Sequence, residues 1–246
     1  MIKKINILST KKLLPNQKQL LLDANFEVID EDFIQTKTIN FEFSSFGGVS
    51  EGRGGIKINQ NLIFTSQNSV QSILNHPKVA DLKSKNVFSV GMKTKDLLTQ
   101  NGFNVVAYTG YASDLAEIIS LIYNKESFTF FSGNLRRDIL PDTLKENQIT
   151  FNEIKVYETD LTPKKATPSI GKPLKGKENR FDGILFFSPS AVESYLKLNT
   201  IKNEICFCIG ETTAEVLQDK KTQNILIANK PTVENVINEL IEYYNN

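Results

Sequence analysis

Short apolar runs alternate with amphipathic segments along the whole chain. Residues 4–8, 26–29, 62–65, 87–90, 105–108, 128–131, 184–187, 205–208 and 224–228 read as strands built mainly on such runs. Continuous apolar stretches this short, bounded by polar or small residues, predict strands buried on both faces. Most of the intervening segments have the length and pattern of helices, roughly 10–15 residues each. The first covers residues 16–24, with Leu20 and Leu21 expected on one face. Strand–helix alternation of this kind predicts βα units and parallel sheets.

The two halves of the chain repeat each other. Residues 62–74 lie over 184–196 without a gap, and Phe64, Ser66, Val70, Ser72 and Leu74 meet Phe186, Ser188, Val192, Ser194 and Leu196. Residues 90–94 then lie over 209–213, with Ser113 over Thr232 and Leu121 over Leu240 in the same register. Three strand-to-helix junctions in one order argue for two similar α/β domains. Each copy is preceded by a stretch rich in Gly, Pro or charge, residues 44–57 and 163–180, expected to be a mobile surface connection.

Composition narrows the function. A chain of 246 residues, 40% apolar, can bury a substantial core as one large domain or two small ones. The 29 Lys and Arg nearly balance the 28 Asp and Glu, which argues against nucleic-acid or membrane partners held by a basic face. No apolar run approaches the ~20 residues that span a bilayer, and the N-terminal residues do not form a signal peptide. Two cysteines are too few for a disulfide framework, which fits the cytoplasm. Cys206 and Cys208 share one face of a strand and are expected in the core rather than on a metal. The single histidine, His76, sits in a loop-like Asn75-His76-Pro77 run and is expected to be exposed. Triads and multi-histidine metal sites therefore have little to build on. No G-x-x-x-x-G-K-[ST] occurs, and Gly52-Arg53-Gly54-Gly55 lacks the dinucleotide-binding spacing. No metal or cofactor is expected.

Candidate chemistry lies at the junctions. A buried strand is followed by a small or hydroxyl residue and then a helix at Thr65-Ser66, Gly91-Met92-Lys93-Thr94, Ser132-Gly133-Asn134, Ser188-Pro189-Ser190, Gly210-Glu211-Thr212-Thr213 and Pro231-Thr232. Helix capping accounts for any one of them. Together they predict a row of helix N-termini along the carboxyl edge of each sheet, where backbone amides and positive dipole ends meet anions. Lys93, Arg136 and Arg137 add positive charge.

Five of these motifs, with Lys155-Val156-Tyr157-Glu158-Thr159 and the segment Phe131 to Leu140, resemble the uroporphyrinogen-III synthase family over nearly the whole chain and in family order. The stretches 44–57 and 163–180 depart from the family's usual pattern. The resemblance implies two flavodoxin-like, doubly wound parallel-sheet domains joined by a two-segment hinge: residues 1–34 with 161–246, and the inserted 35–160. It implies a cofactor-free lyase acting on hydroxymethylbilane, a linear tetrapyrrole with eight carboxylates, in heme biosynthesis. Tyr157 is implied as the catalytic group. Thr65, Ser66, Gly91, Lys93, Thr94, Ser132, Gly133, Asn134, Arg136, Ser188, Ser190, Gly210, Thr212 and Thr213 are implied as substrate-binding. A monomer is the default expectation. The residues alone leave a second reading open, a non-catalytic two-domain hinge protein that binds a polyanionic small molecule.

Overall fold

A computed structural model describes residues 5–43, 56–168 and 180–245. The chain divides into two compact units, residues Met1–Gln35 with Asp160–Asn246 (unit 1) and Thr36–Thr159 (unit 2). Unit 1 takes strands from both ends of the chain. They are β1 (Ile5–Ser9), β2 (Phe26–Asp30), β9 (Gly183–Phe186), β10 (Ile205–Cys208) and β11 (Ile225–Ile227), in the order β11-β10-β9-β1-β2. Every pairing among them is parallel. Helices α1 (Pro15–Asp23), α6 (Pro189–Leu196), α7 (Glu211–Asp219) and α8 (Val233–Asn245) connect or follow these strands.

Unit 2 holds β3 (Ile34–Thr38), β4 (Asn61–Phe64), β5 (Asn86–Val90), β6 (Asn104–Thr109), β7 (Ser127–Gly133) and β8 (Thr150–Leu161), in the order β3-β8-β7-β4-β5-β6. The pairings from β8 across to β6 are parallel. Its helices are α2 (Gln67–Leu74), α3 (Met92–Gln100), α4 (Ala112–Ile122) and α5 (Ile139–Glu146).

The repeat in the sequence has a structural counterpart. The run β4-α2-β5-α3-β6-α4 of unit 2 matches β9-α6-β10-α7-β11-α8 of unit 1, and the strands keep the same spatial order. The remaining passage is permuted. In unit 1, β1-α1-β2 comes first in the chain; in unit 2 its counterpart β7-α5-β8 comes last.

The continuous apolar strands are explained by burial on two faces. Leu62 and Phe64 join one core cluster of unit 2 while Ile63 joins the other. In unit 1, Leu8, Ile184, Phe186, Cys206 and Cys208 line one face, and Ile7, Leu185 and Phe207 line the opposite one. Both cysteines are free and buried on the same face, as their spacing predicts. Burial pushes the Cys208 thiol up to about 12 and the Cys206 thiol higher still.

Several expectations need correction. Leu21 is fully buried, but Leu20 is 41% exposed, because adjacent helical residues point about 100° apart. His76 is not an exposed loop residue. It is half-buried against the rings of Phe41 and Phe43, with centroids 4.7 and 4.5 Å away. Lys78 N–H donates to Nδ1 at 3.1 Å, so Nε2–H donates to the Phe41 carbonyl at 3.0 Å. The covering rings lie far away in sequence, which a local reading of Asn75-His76-Pro77 does not reveal. The stretches 44–57 and 163–180 lie largely outside the described residues, as does Gly52-Arg53-Gly54-Gly55.

Candidate active site

The register of unit 2 aligns its strand ends. Phe64 pairs with Ser89 on one side and Phe131 on the other, so Thr65, Ser66, Gly91 and Ser132 emerge along one carboxyl edge. Ser66 caps α2, its Oγ accepting from Asn68 N–H at 3.0 Å. Thr65 beside it is half-buried. Gly91 starts α3 at φ +85°, a left-handed conformation that disfavours side chains, and its N–H donates to the Thr109 carbonyl at 2.8 Å. No side chain caps α3. Thr94 is buried beneath this start, whereas Lys93 is exposed.

The third junction differs from the expected form. Ser132-Gly133-Asn134 does not open a helix, because α5 begins only at Ile139. Instead Ser132 and Gly133 finish β7 in its pairing with β8. Asn134 turns back onto that strand: its Oδ1 accepts from Thr159 N–H at 2.7 Å and its Nδ2 donates to the Thr159 carbonyl at 3.1 Å. Arg136 reaches Glu153 through Nε at 2.6 Å and Nη2 at 3.0 Å, and also pairs with Asp138. Burial raises the Glu153 carboxyl, but the hydrogen bonds and charge of Arg136 outweigh it and hold the group below its ordinary value. The same Glu153 bonds hold the Arg136 guanidinium firmly charged. Asn134 thus spends its polar atoms on β8, and Arg136 divides its guanidinium between β8 and Asp138.

Tyr157 stands on β8 opposite Gly133. Its ring packs against the apolar cluster around Phe64, Phe131 and Val156. Its hydroxyl makes no hydrogen bond among the described residues. A half-buried phenol with a free donor is suited to protonating a leaving oxygen.

Unit 1 repeats the row. Ser188 caps α6, accepting from Ala191 N–H at 3.1 Å, and its Oγ lies 3.1 Å from Ser190 Oγ. Pro189 follows at the first turn, where a missing N–H costs nothing. Gly210 starts α7 without a side-chain cap, as Gly91 starts α3. Thr212 is half-buried, and Thr213 is fully buried with an Oγ1 that has no partner among the described residues. Thr232 accepts from Asn235 N–H at 3.1 Å and so caps α8.

The sequence reading missed the end of β1. Ser9 and Thr10 are buried there, and Thr10 Oγ1 donates to the Leu185 carbonyl at 2.8 Å. Asp30, at the end of β2, accepts from Leu13 N–H at 3.1 Å and from Lys18 Nζ at 2.7 Å. Burial opposes the Asp30 charge, but Lys18 and the Leu13 amide outweigh it and lower its pKa. The permuted match of β1-α1-β2 to β7-α5-β8 was the missing signal.

These features define a class: repeated, permuted, doubly wound α/β units with Ser- and Gly-started helices along the carboxyl edges, where this architecture takes its ligands. The family model described as "Uroporphyrinogen-III synthase HemD" matches residues 48–238. The chain belongs to the uroporphyrinogen-III synthase family. It is 26% identical over 208 residues to the uroporphyrinogen-III synthase of Saccharomyces cerevisiae, covering 74% of this chain and 75% of that one. It is 27% identical over 145 residues to that of Chlorobaculum parvum, covering 55% and 58%. The crystal structure of uroporphyrinogen-III synthetase from Helicobacter pylori is similar with a TM-score of 0.66 at 21% identity, covering 98% of this chain and 100% of that one. A mutant uroporphyrinogen-III synthase from Thermus thermophilus gives 0.64 at 12% identity, covering 98% and 99%. These two likenesses carry the fold.

Proposed function

We propose that this chain cyclises hydroxymethylbilane to uroporphyrinogen III, with loss of water and inversion of ring D. The observation that carries this reading is the family match over residues 48–238. Water leaves the hydroxymethyl carbon and an electrophilic azafulvene remains. The substituted carbon of ring D attacks it to form a spiro intermediate, which fragments and recloses. Without the protein the same bilane closes without inversion, so the catalyst must restrain conformation as well as assist departure of the hydroxyl.

Tyr157 is the group we assign to that departure. Its unpartnered hydroxyl supports the assignment, since a donor already committed to a neighbour would have to be released first. The substrate's carboxylates are met by the starts of α2, α3, α6 and α7. Uncapped Gly91 and Gly210, Ser66, Ser188 and Ser190, and the buried Thr94 and Thr213 support this part of the reading. Thr65 and Thr212 border the same helix starts, and exposed Lys93 adds charge. Ser132 is assigned to the β7–β8 seam beside them.

We also infer two domains, residues 1–34 with 161–246 and residues 35–160, in a cytoplasmic monomer. Among the described residues no helix is long and apolar enough to cross a membrane.

The test is an isomer assay. Freshly made hydroxymethylbilane is given to the purified protein, the products are oxidised, and uroporphyrins I and III are separated. Isomer III in excess over the protein-free control is expected. Isomer I alone from a folded sample would overturn the reading and favour a non-catalytic binder of polyanions.

A further inference from the structure

Tyr157 sits in a seat whose parts were expected to touch substrate. The β7–β8 ladder runs in step from Ser127 opposite Thr150 to Ser132 opposite Lys155, then slips so that Gly133 faces Tyr157. Such an irregularity re-aims the side chains that follow it. Ile154, Val156 and Tyr157 all pack against one apolar cluster, which strict strand alternation forbids for the last two. The slip therefore turns the Tyr157 ring onto Gly133.

Only glycine leaves room there. A Cβ added to Gly133 would penetrate the ring edge of Tyr157 and come within 2.7 Å of its hydroxyl. Beyond the last ladder pair, the Asn134 carboxamide takes both the N–H and the carbonyl of Thr159. Tyr157 thus lies between two fixed points, Gly133 beneath its ring and Thr159 two residues on. Its hydroxyl has no partner of its own among the described residues, so its aim is set by this seat alone. A donor that must meet one leaving oxygen is sensitive to such aim, because a 1 Å misplacement costs rates of the order of 10²-fold.

We propose that Gly133 and Asn134 are positioning residues for the Tyr157 phenol rather than contacts to substrate. The proposal rests on the reading of Tyr157 as the catalytic group. Its tests are Asn134→Ala, Asn134→Asp and Gly133→Ala, each alone and with Tyr157→Phe, followed by kcat and KM for bilane cyclisation. Asn134→Ala is expected to lower kcat about 10-fold and leave KM within about two-fold. Asn134→Asp keeps the acceptor for Thr159 N–H and is expected to recover part of that loss. In the Tyr157→Phe background Asn134→Ala is expected to change kcat by less than about two-fold, since there is no hydroxyl left to misplace. Gly133→Ala is expected to follow Asn134→Ala, and the Asn134 series stands alone if that variant does not fold.

An equal loss of kcat in both backgrounds would make the clamp merely structural and overturn the proposal. A rise in KM alone would overturn it in favour of substrate contact. If Tyr157→Phe is slow while Asn134→Ala and Gly133→Ala turn over normally, the seat is wrong and the phenol stands. Full turnover by Tyr157→Phe overturns the phenol's role and the seat with it.

Discussion

The seam between β1 and β2 in unit 1 and the seam between β7 and β8 in unit 2 are the same passage of one repeated fold, and they end differently. In unit 1 the last residue of β2 is Asp30, 8% exposed and bound to Lys18 and the Leu13 amide. In unit 2 the ladder slips, Gly133 opens a space, and Tyr157 fills it with a hydroxyl that has no partner among the described residues. One seam closes its polar groups on each other. The other spends Asn134, Arg136 and Glu153 on holding a strand and leaves a donor unspent. Local rules are satisfied where the fold is being built and relaxed where a ligand is awaited.

If that contrast is right, substitutions at the two seams should separate stability from turnover. Asp30→Ala strips a buried amide and a lysine of their acceptor and should destabilise by about 2 kcal/mol, below the usual range for a broken buried pair because Lys18 is 40% exposed. Denaturant midpoints read this directly, and kcat of the folded fraction should be unchanged. A large fall in kcat instead would place chemistry at both seams.

Asp30 and Glu153 should also set the acid limit. The pKa of each is lowered in the folded protein from ordinary values of 3.8 and 4.5. Their contribution is therefore present above those values and is lost as pH falls through the lower folded ones. Asp30→Ala and Glu153→Gln should each flatten the loss of stability below about pH 4. Urea midpoints measured down through that range check the sign.

The matched helix starts sharpen the repeat. Ser66→Ala and Ser188→Ala remove equivalent caps and should each cost about 1 kcal/mol of stability. Unequal costs in thermal unfolding would break the equivalence of α2 and α6. The smallest effect belongs to exposed Lys93. Lys93→Ala should raise KM by about two-fold at low salt and less at high salt, as screening of a surface charge requires.

Much of this architecture was legible from pattern alone. Residues 62–64 and 184–186 are apolar throughout because both faces of their strands are buried, and the serine four residues into each copy is a cap in both units. Strands β3 and β8 escaped because their sequences mix in charge. Ile34–Thr38 exposes most of its residues, and β8 sets Ile154 and Val156 among Glu153, Lys155 and Glu158. The site was legible as a set of junctions but not in its division of labour. Asn134 and Arg136 read as ligand contacts in the sequence, and their bonds to Thr159 and Glu153 could not be read there, since a partner about 20 residues away leaves no local spacing to detect. Asp30 went unnoticed for the same reason, as did the aromatic cover of His76.

The central claim is that the phenol at the unit 2 seam does the chemistry. The most direct measurement is the rate of bilane consumption and the ratio of isomer III to isomer I for Tyr157→Phe beside the unsubstituted protein. The account predicts a fall in kcat of about 10² with bilane binding retained and the product shifting towards isomer I. A Tyr157→Phe protein that still forms isomer III at the full rate would contradict it.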